Sequence, residues 1–152
     1  MYGTNETLRA IGRVMARYAQ QHAAAFDADG VIEASPLMKA WKAGTLEKPA
    51  SYIAGDVRTH EGQPWRCSQA HVHYGEEGWD PASSRALWMP YHATKKEYAL
   101  PYVAPTHAQD CYQTGEWMIW TDGLVYAARR DAVDHGPDVL PDAWEVDGVV
   151  PI

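Results

Sequence analysis

The sequence has little cysteine, almost no phenylalanine, no basic run and no long apolar run. Only 2 cysteines, Cys67 and Cys111, occur in 152 residues. That excludes a disulfide framework; one bridge is open to the chain, and two free thiols are the simpler expectation. A single Phe stands beside 7 Trp and 9 Tyr. Phe fills cores at no polar cost, whereas Trp and Tyr carry a polar edge and suit half-wet surfaces. The bias points to a binding surface, or to modules too small to bury their rings. Paired cations occur only at Lys95-Lys96 and Arg129-Arg130, in a chain of formal net charge −7. Phosphate neutralisation needs clustered Lys and Arg, so no nucleic-acid partner is expected. A neutral ligand such as a glycan is compatible with that charge, whereas an anionic surface is repelled at long range. No apolar run reaches membrane-spanning length, and no membrane insertion is expected. Met1 to His22 lacks the continuous apolar stretch of a secretory signal, so the chain is expected not to direct its own export.

What is present begins with a helix. From about Asn5 to Ala25 the residues favour one, with Thr4 or Asn5 as the cap and Glu6 in the first turn. Leu8, Ile11, Met15, Tyr18 and His22 recur at alternating steps of three and four, the a/d spacing of a coiled coil. A helix of that length is marginal alone. Its stripe must pack on the rest of the chain or on copies of itself, with Leu8, Ile11, Met15 and Tyr18 as the oligomerisation residues and a trimer as the favoured homo-oligomer. Phe26 to Gly30 ends the helix with turn chemistry.

From Tyr52 onward short β-branched and aromatic runs alternate with Pro, Gly and Asp, as brief strands joined by tight turns do. An internal repeat is visible. Tyr52-Ile53-Ala54-Gly55-Asp56-Val57, then Glu61-Gly62, then Trp65 answers to Tyr112-Gln113-Thr114-Gly115-Glu116-Trp117, then Asp122-Gly123, then Tyr126. Each copy ends on a Trp, Trp88 or Trp144. Gly55 and Gly115 are expected in turns, and Glu61-Gly62 and Asp122-Gly123 at hairpins. Trp88, Trp144, Tyr52 and Tyr112 read as core. The fold expected is mainly β: two small antiparallel β modules in tandem preceded by an N-terminal α-helix. The divisions are residues 1–26 for the helix, 27–40 for a connector with a helical turn around Pro36 to Lys42, 41–92 for the first module, 93–105 for a Pro-containing linker, and 106–152 for a second, degenerate module.

The first copy resembles the chitin-binding type of carbohydrate-binding module, families five and twelve, found on bacterial chitinases. The residues that carry this are Tyr52, Gly55-Asp56, Val57, Gly62, Trp65-Arg66-Cys67, His71, Gly78-Trp79-Asp80-Pro81 and Ala86-Leu87-Trp88. The second copy keeps Tyr112, Gly115-Glu116, Asp122-Gly123, Tyr126 and Trp144, but its Asp134-His135-Gly136-Pro137-Asp138 segment has no Trp. A helix followed by two such modules is similar in layout to bacteriophage and prophage tail-region proteins. The resemblance implies a non-catalytic protein of a virion tail or surface. Its partners would be a polysaccharide or surface glycan and other tail proteins. A purely structural virion protein, and a chitin-binding accessory of a bacterial cell, are the alternatives.

Sugars bind aromatic platforms by stacking a pyranose C–H face on a ring. Covering about 75–100 Å² of an indole contributes about 2 kcal/mol, so one platform gives millimolar affinity at best and several are needed for retention. The resemblance places the platform at Trp79, which also lies in a polar Gly/Pro loop. Tyr74, Glu76 and Glu77 are candidates for rim hydrogen bonds. Trp117 and Trp120 are further candidates, since their spacing puts them on opposite faces of a strand. Cys67, His71 and His73, with His60 near the hairpin, are metal-like in type. They lack the second spaced pair of a structural zinc site, and no metal or cofactor is expected. Cys67 with His71 lacks an orienting third group for nucleophilic catalysis. The acids Glu76, Glu77 and Asp80 sit in a module too small for a glycosidase cleft.

Overall fold

The computed structural model describes residues 3–147, so the outermost ends of the first and last divisions lie outside the described residues. Among these, helix α1 (Thr4–His22) leads into a 3-10 turn (Ala23–Ala25), and a short helix α2 (Ala28–Ala34) into another (Ser35–Leu37). Nine short strands follow: β1 (Ala50–Tyr52), β2 (Val57–His60), β3 (Gln63–Cys67), β4 (His71–His73), β5 (Trp88–Pro90), β6 (Leu100–Pro101), β7 (Trp117–Ile119), β8 (Val125–Ala128) and β9 (Trp144–Val146). They form small sheets of order β1-β4, β2-β3-β5 and β6-β7-β8-β9. The fold is mainly β and chiefly antiparallel, with β6 parallel to β7.

The helix starts one residue earlier than its side chains suggest. Gly3 is the cap, and its amide donates to the Glu6 carboxylate at 2.9 Å, so Glu6 does the capping that Thr4 or Asn5 was expected to do.

The chain divides into two compact units, residues 1–26 with 34–88, and residues 27–33 with 89–152. The stretch 93–105, expected as a linker, is built into the second unit. Ala93 accepts from the Trp117 amide, β6 pairs with β7, and the Tyr102 amide donates to Ile119 O. Its prolines mislead because Pro101 sits in a two-residue edge strand, where a missing N–H costs little. Residues 27–33 of the expected connector likewise belong to the second unit, where Asp29 accepts from the amide and hydroxyl of Thr94.

Both units are built on one hydrogen-bond plan. The Gly55 amide donates to Cys67 O and the Gly115 amide to Ala128 O, each at 2.9 Å. Asp56 Oδ2 accepts from the Ile53 amide at 2.9 Å, and Glu116 Oε1 from that of Gln113 at 2.6 Å. The Ser68 amide reaches Leu87 O, and the Arg129 amide Ala143 O, each at 2.8 Å. At each centre a buried Tyr meets a buried Trp edge to face: Tyr52 and Trp88 at 5.1 Å, Tyr112 and Trp144 at 5.3 Å. The Tyr52 hydroxyl donates to Lys42 O at 2.8 Å, and the Tyr112 hydroxyl accepts from the Val103 amide at 3.1 Å. A ring able to be both core and hydrogen-bond partner suits a unit too small for a Phe-rich core. The first hairpin is a two-residue turn with Glu61 and Gly62 both at positive φ, the type I′ backbone that matches strand twist. The second is longer: Trp120 and Leu124 flank residues 121–123, with Gly123 at positive φ.

Candidate functional site

Trp79 lies on an excursion of the first unit that the second unit does not have. Tyr52 pairs with His71, and Tyr112 is bridged to Val133. Downstream, Asp80 O accepts from the Ser83 and Ser84 amides, and Gly136 O from those of Val139 and Leu140. Between those equivalent points the first unit inserts residues 72–79, the second only Asp134 and His135. The loop that carries Trp79 is therefore absent from the second unit as backbone, which is more than the loss of one Trp.

His73 holds this loop up. It is buried in β4, and its Nδ1 accepts from the Gly44 amide at 2.9 Å. Nε2 is left to donate to Glu76 O, 2.8 Å away. One imidazole thus ties the segment before β1 to the far end of the loop. Gly44 has no alternative, since a Cβ there would lie 2.0 Å from His73 O and 2.4 Å from the Ala50 amide. Gly75 and Gly78 take positive φ and turn the chain out and back, and the Ser84 hydroxyl donates to Gly78 O at 2.8 Å.

On this support Trp79 is half-buried, its ring 6.2 Å from that of His73 and 6.4 Å from that of His71. Tyr74 is 46% exposed and Glu77 is exposed. Glu76 is exposed, and its carboxylate accepts from its own amide and from that of Tyr74, which holds it below the usual carboxylate range. The bond from the Tyr74 amide ties it to the loop's own backbone. The Trp41 ring is 5.4 Å from that of His73 and meets His60 edge to face at 5.6 Å. It borders a cleft of about 480 Å³ that is also lined by Pro36, Met38, Thr59 and Glu61. His60 Nε2 lies 3.2 Å from Asp80 Oδ2. Burial works to raise the Asp80 pKa, but hydrogen bonds from the Ser83 hydroxyl, its own amide and the Ser83 amide, together with His60, outweigh it and lower it.

The structure thus brings Tyr74, Glu77 and Trp79 together on one loop. Trp117 and Trp120 belong to the second unit, both half-buried. Trp120 is packed against the second core, edge to face with Tyr102 at 4.9 Å. Its ring lies so close over Gly136 that an added Cβ would be 2.3 Å from Cη2. Its position after β7 puts it over the short turn, where it stays half-buried as Trp79 is. Trp117 pairs with Ala127 in β7, and its amide donates to buried Ala93.

The residues with reactive side chains are otherwise engaged. Cys67 Sγ lies 3.2 Å from Gln69 O and 3.7 Å from His71 Nδ1. His71 Nδ1 is 2.8 Å from the same carbonyl, which only a protonated Nδ1 can satisfy. The imidazole therefore does not offer Cys67 a basic nitrogen, and burial pushes the Cys67 thiol up. Burial does the same to Cys111, and both cysteines are free and buried. Among the described residues no group of three or more His, Cys, Asp or Glu is placed to hold a metal ion.

Sequence reasoning missed His73 as the loop's anchor, although a His two residues from His71 in a strand puts both rings on one face. It missed Gly44, whose need arises from backbone brought close by tertiary contact.

No protein-family model and no curated protein matches the chain. Among solved structures it is similar to a family GH18 chitinase from Chromobacterium violaceum, at 27% identity over 41% of this chain and 17% of that one, with a TM-score of 0.30. So loose a superposition says nothing of function, and the match takes in a small share of the chitinase chain.

Proposed function

We propose that the chain is a non-catalytic glycan-binding protein whose first unit holds a neutral polysaccharide of the chitin type against Trp79, with Tyr74 and Glu77 at the rim. The observation that carries this reading is the loop at residues 74–79. It is long, held by a buried histidine, present in one unit only, and it puts two aromatic rings partly in water. An insertion kept for core packing would turn its rings inward. The net charge of −7 suits an uncharged ligand. The layout of helix and two β units supports a setting in a bacteriophage or prophage tail, where such a protein would attach the particle to surface or mucus polysaccharide beside other tail proteins.

The test is retention on insoluble chitin, cellulose and host cell wall by the full chain and by Trp79→Ala. Retention of the parent and its loss in the variant, with the thermal transition unchanged, is the expected result. Retention equal in both moves the site away from Trp79. Failure of the parent to bind any polysaccharide favours a second reading, a purely architectural virion component. That reading draws on the second unit, which keeps the scaffold without the loop.

A further inference from the structure

Helix α1 presents its large apolar residues to solvent. Leu8 is 61% exposed, Ile11 49%, Met15 53% and Tyr18 59%. The helix meets its own unit by small residues near its C-terminal end. Ala19 and Ala23 are buried there, Gln20 Nε2 donates to Val57 O at 3.0 Å, and Gln20 Oε1 accepts from the Lys39 amide at 2.7 Å. Of the two packing choices open to the stripe, docking on the chain's own β unit is not the one taken.

The pattern on the exposed face specifies its occupant. Steps of three then four make Leu8 and Met15 position a, and Ile11 and Tyr18 position d, of one continuous heptad phase. A seam repeating every 3.5 residues stays in contact over several turns only with a helix of the same repeat. The flanking e and g positions, Asn5, Gly12, Ala19, Thr7, Val14 and Gln21, carry no charge. Arg9, Arg13, Arg17 and Glu6 fall at b, f and c, so identical helices set side by side bring no like charges together. Leu at a followed by Ile at d disfavours the two-stranded form and favours three or four strands. Val14 at g, 55% exposed, widens the stripe in the same direction.

We propose that α1 is a self-association element that joins copies of this chain as a parallel three-stranded coiled coil. The assembly does not depend on the glycan reading. Its consequence for that reading is avidity, with three weak platforms carried on one stalk.

Sedimentation equilibrium of the full chain over a dilution series tests it. The expected mass is three times the 16.9 kDa of one chain at the concentrated end, falling on dilution. Ile11→Glu with Met15→Glu is expected to give monomer whose strand amides keep their exchange protection, since both side chains are about half exposed and neither is among the buried core residues. Arg9→Ala with Arg13→Ala should leave the trimer intact. Leu8→Cys should cross-link to itself on oxidation, because parallel strands place identical a residues in one layer while Cys67 and Cys111 are buried. A monomer at every concentration overturns the proposal without recourse to any variant. So does a trimer that survives the double Glu substitution. A dimer overturns the three-stranded assignment. Because no glycan enters these measurements, a trimer that fails to bind chitin leaves this inference standing and sinks the other.

Discussion

The two units share a scaffold and differ at one corner. In the first, Asp80 stands at the foot of a raised loop and is paired with His60. In the second, Gly136 occupies the corresponding place, and Trp120, which follows β7 as His60 ends β2, lies across it. One corner has an imidazole–carboxylate pair and a long aromatic loop. The other has a glycine and an indole that closes over it. Both indoles are half-buried, so the corners differ in the backbone beneath the ring and not in how far the ring is covered. A short turn leaves room for Trp120 to pack on the second core, and the long one pinned by His73 sets Trp79 beside the His71 and His73 rings.

The sharpest way to break the comparison is to remove what the units have in common. Trp88→Ala and Trp144→Ala each delete a buried ring, and each should cost about 3–5 kcal/mol. Hydrogen exchange resolved by peptide should show the loss in the substituted unit; equal loss in both would mean that the units do not unfold separately.

His73→Ala touches only the first unit. It leaves the Gly44 amide and Glu76 carbonyl without their partner and should cost about 2–3 kcal/mol, with loss of polysaccharide retention although no ring is altered. Unchanged melting would show that the loop stands without its pin.

Alkali separates the units in the other direction. The Trp41 amide bonds to Thr59 O as the Tyr102 amide bonds to Ile119 O, so a non-ionising indole corresponds to a phenol. Burial, then the charges of Asp138 and Asp134, push the Tyr102 hydroxyl up to about 12. A raised phenol pKa means that its stabilisation is complete below the unfolded value near 10 and is lost as pH rises towards 12. The second unit should therefore lose stability in that window, and Tyr102→Phe should remove this part of the alkaline loss. An alkaline profile identical in parent and variant would place the titration elsewhere.

The smallest expected effect on stability is that of Trp79→Ala, under about 1 kcal/mol, because the ring is only half-buried on a loop whose backbone is held by His73 and Ser84. A larger loss by urea denaturation would show that Trp79 belongs to the core.

Residue order alone was enough for the helix, the repeat, the two hairpin turns, and the choice of Trp88, Trp144, Tyr52 and Tyr112 as core. All of these rest on short-range periodicity or on the backbone freedom of glycine, and such signals survive without knowledge of neighbours. It misplaced residues 93–105, since Pro-containing composition does not distinguish a linker from an edge strand. Only tertiary structure decided that His73 anchors the loop, that Gly44 admits no side chain, that Trp120 packs over Gly136, and that the apolar face of α1 points away from its own unit. Each of these depends on which distant backbone lies within a few ångströms, and local pattern does not encode that distance.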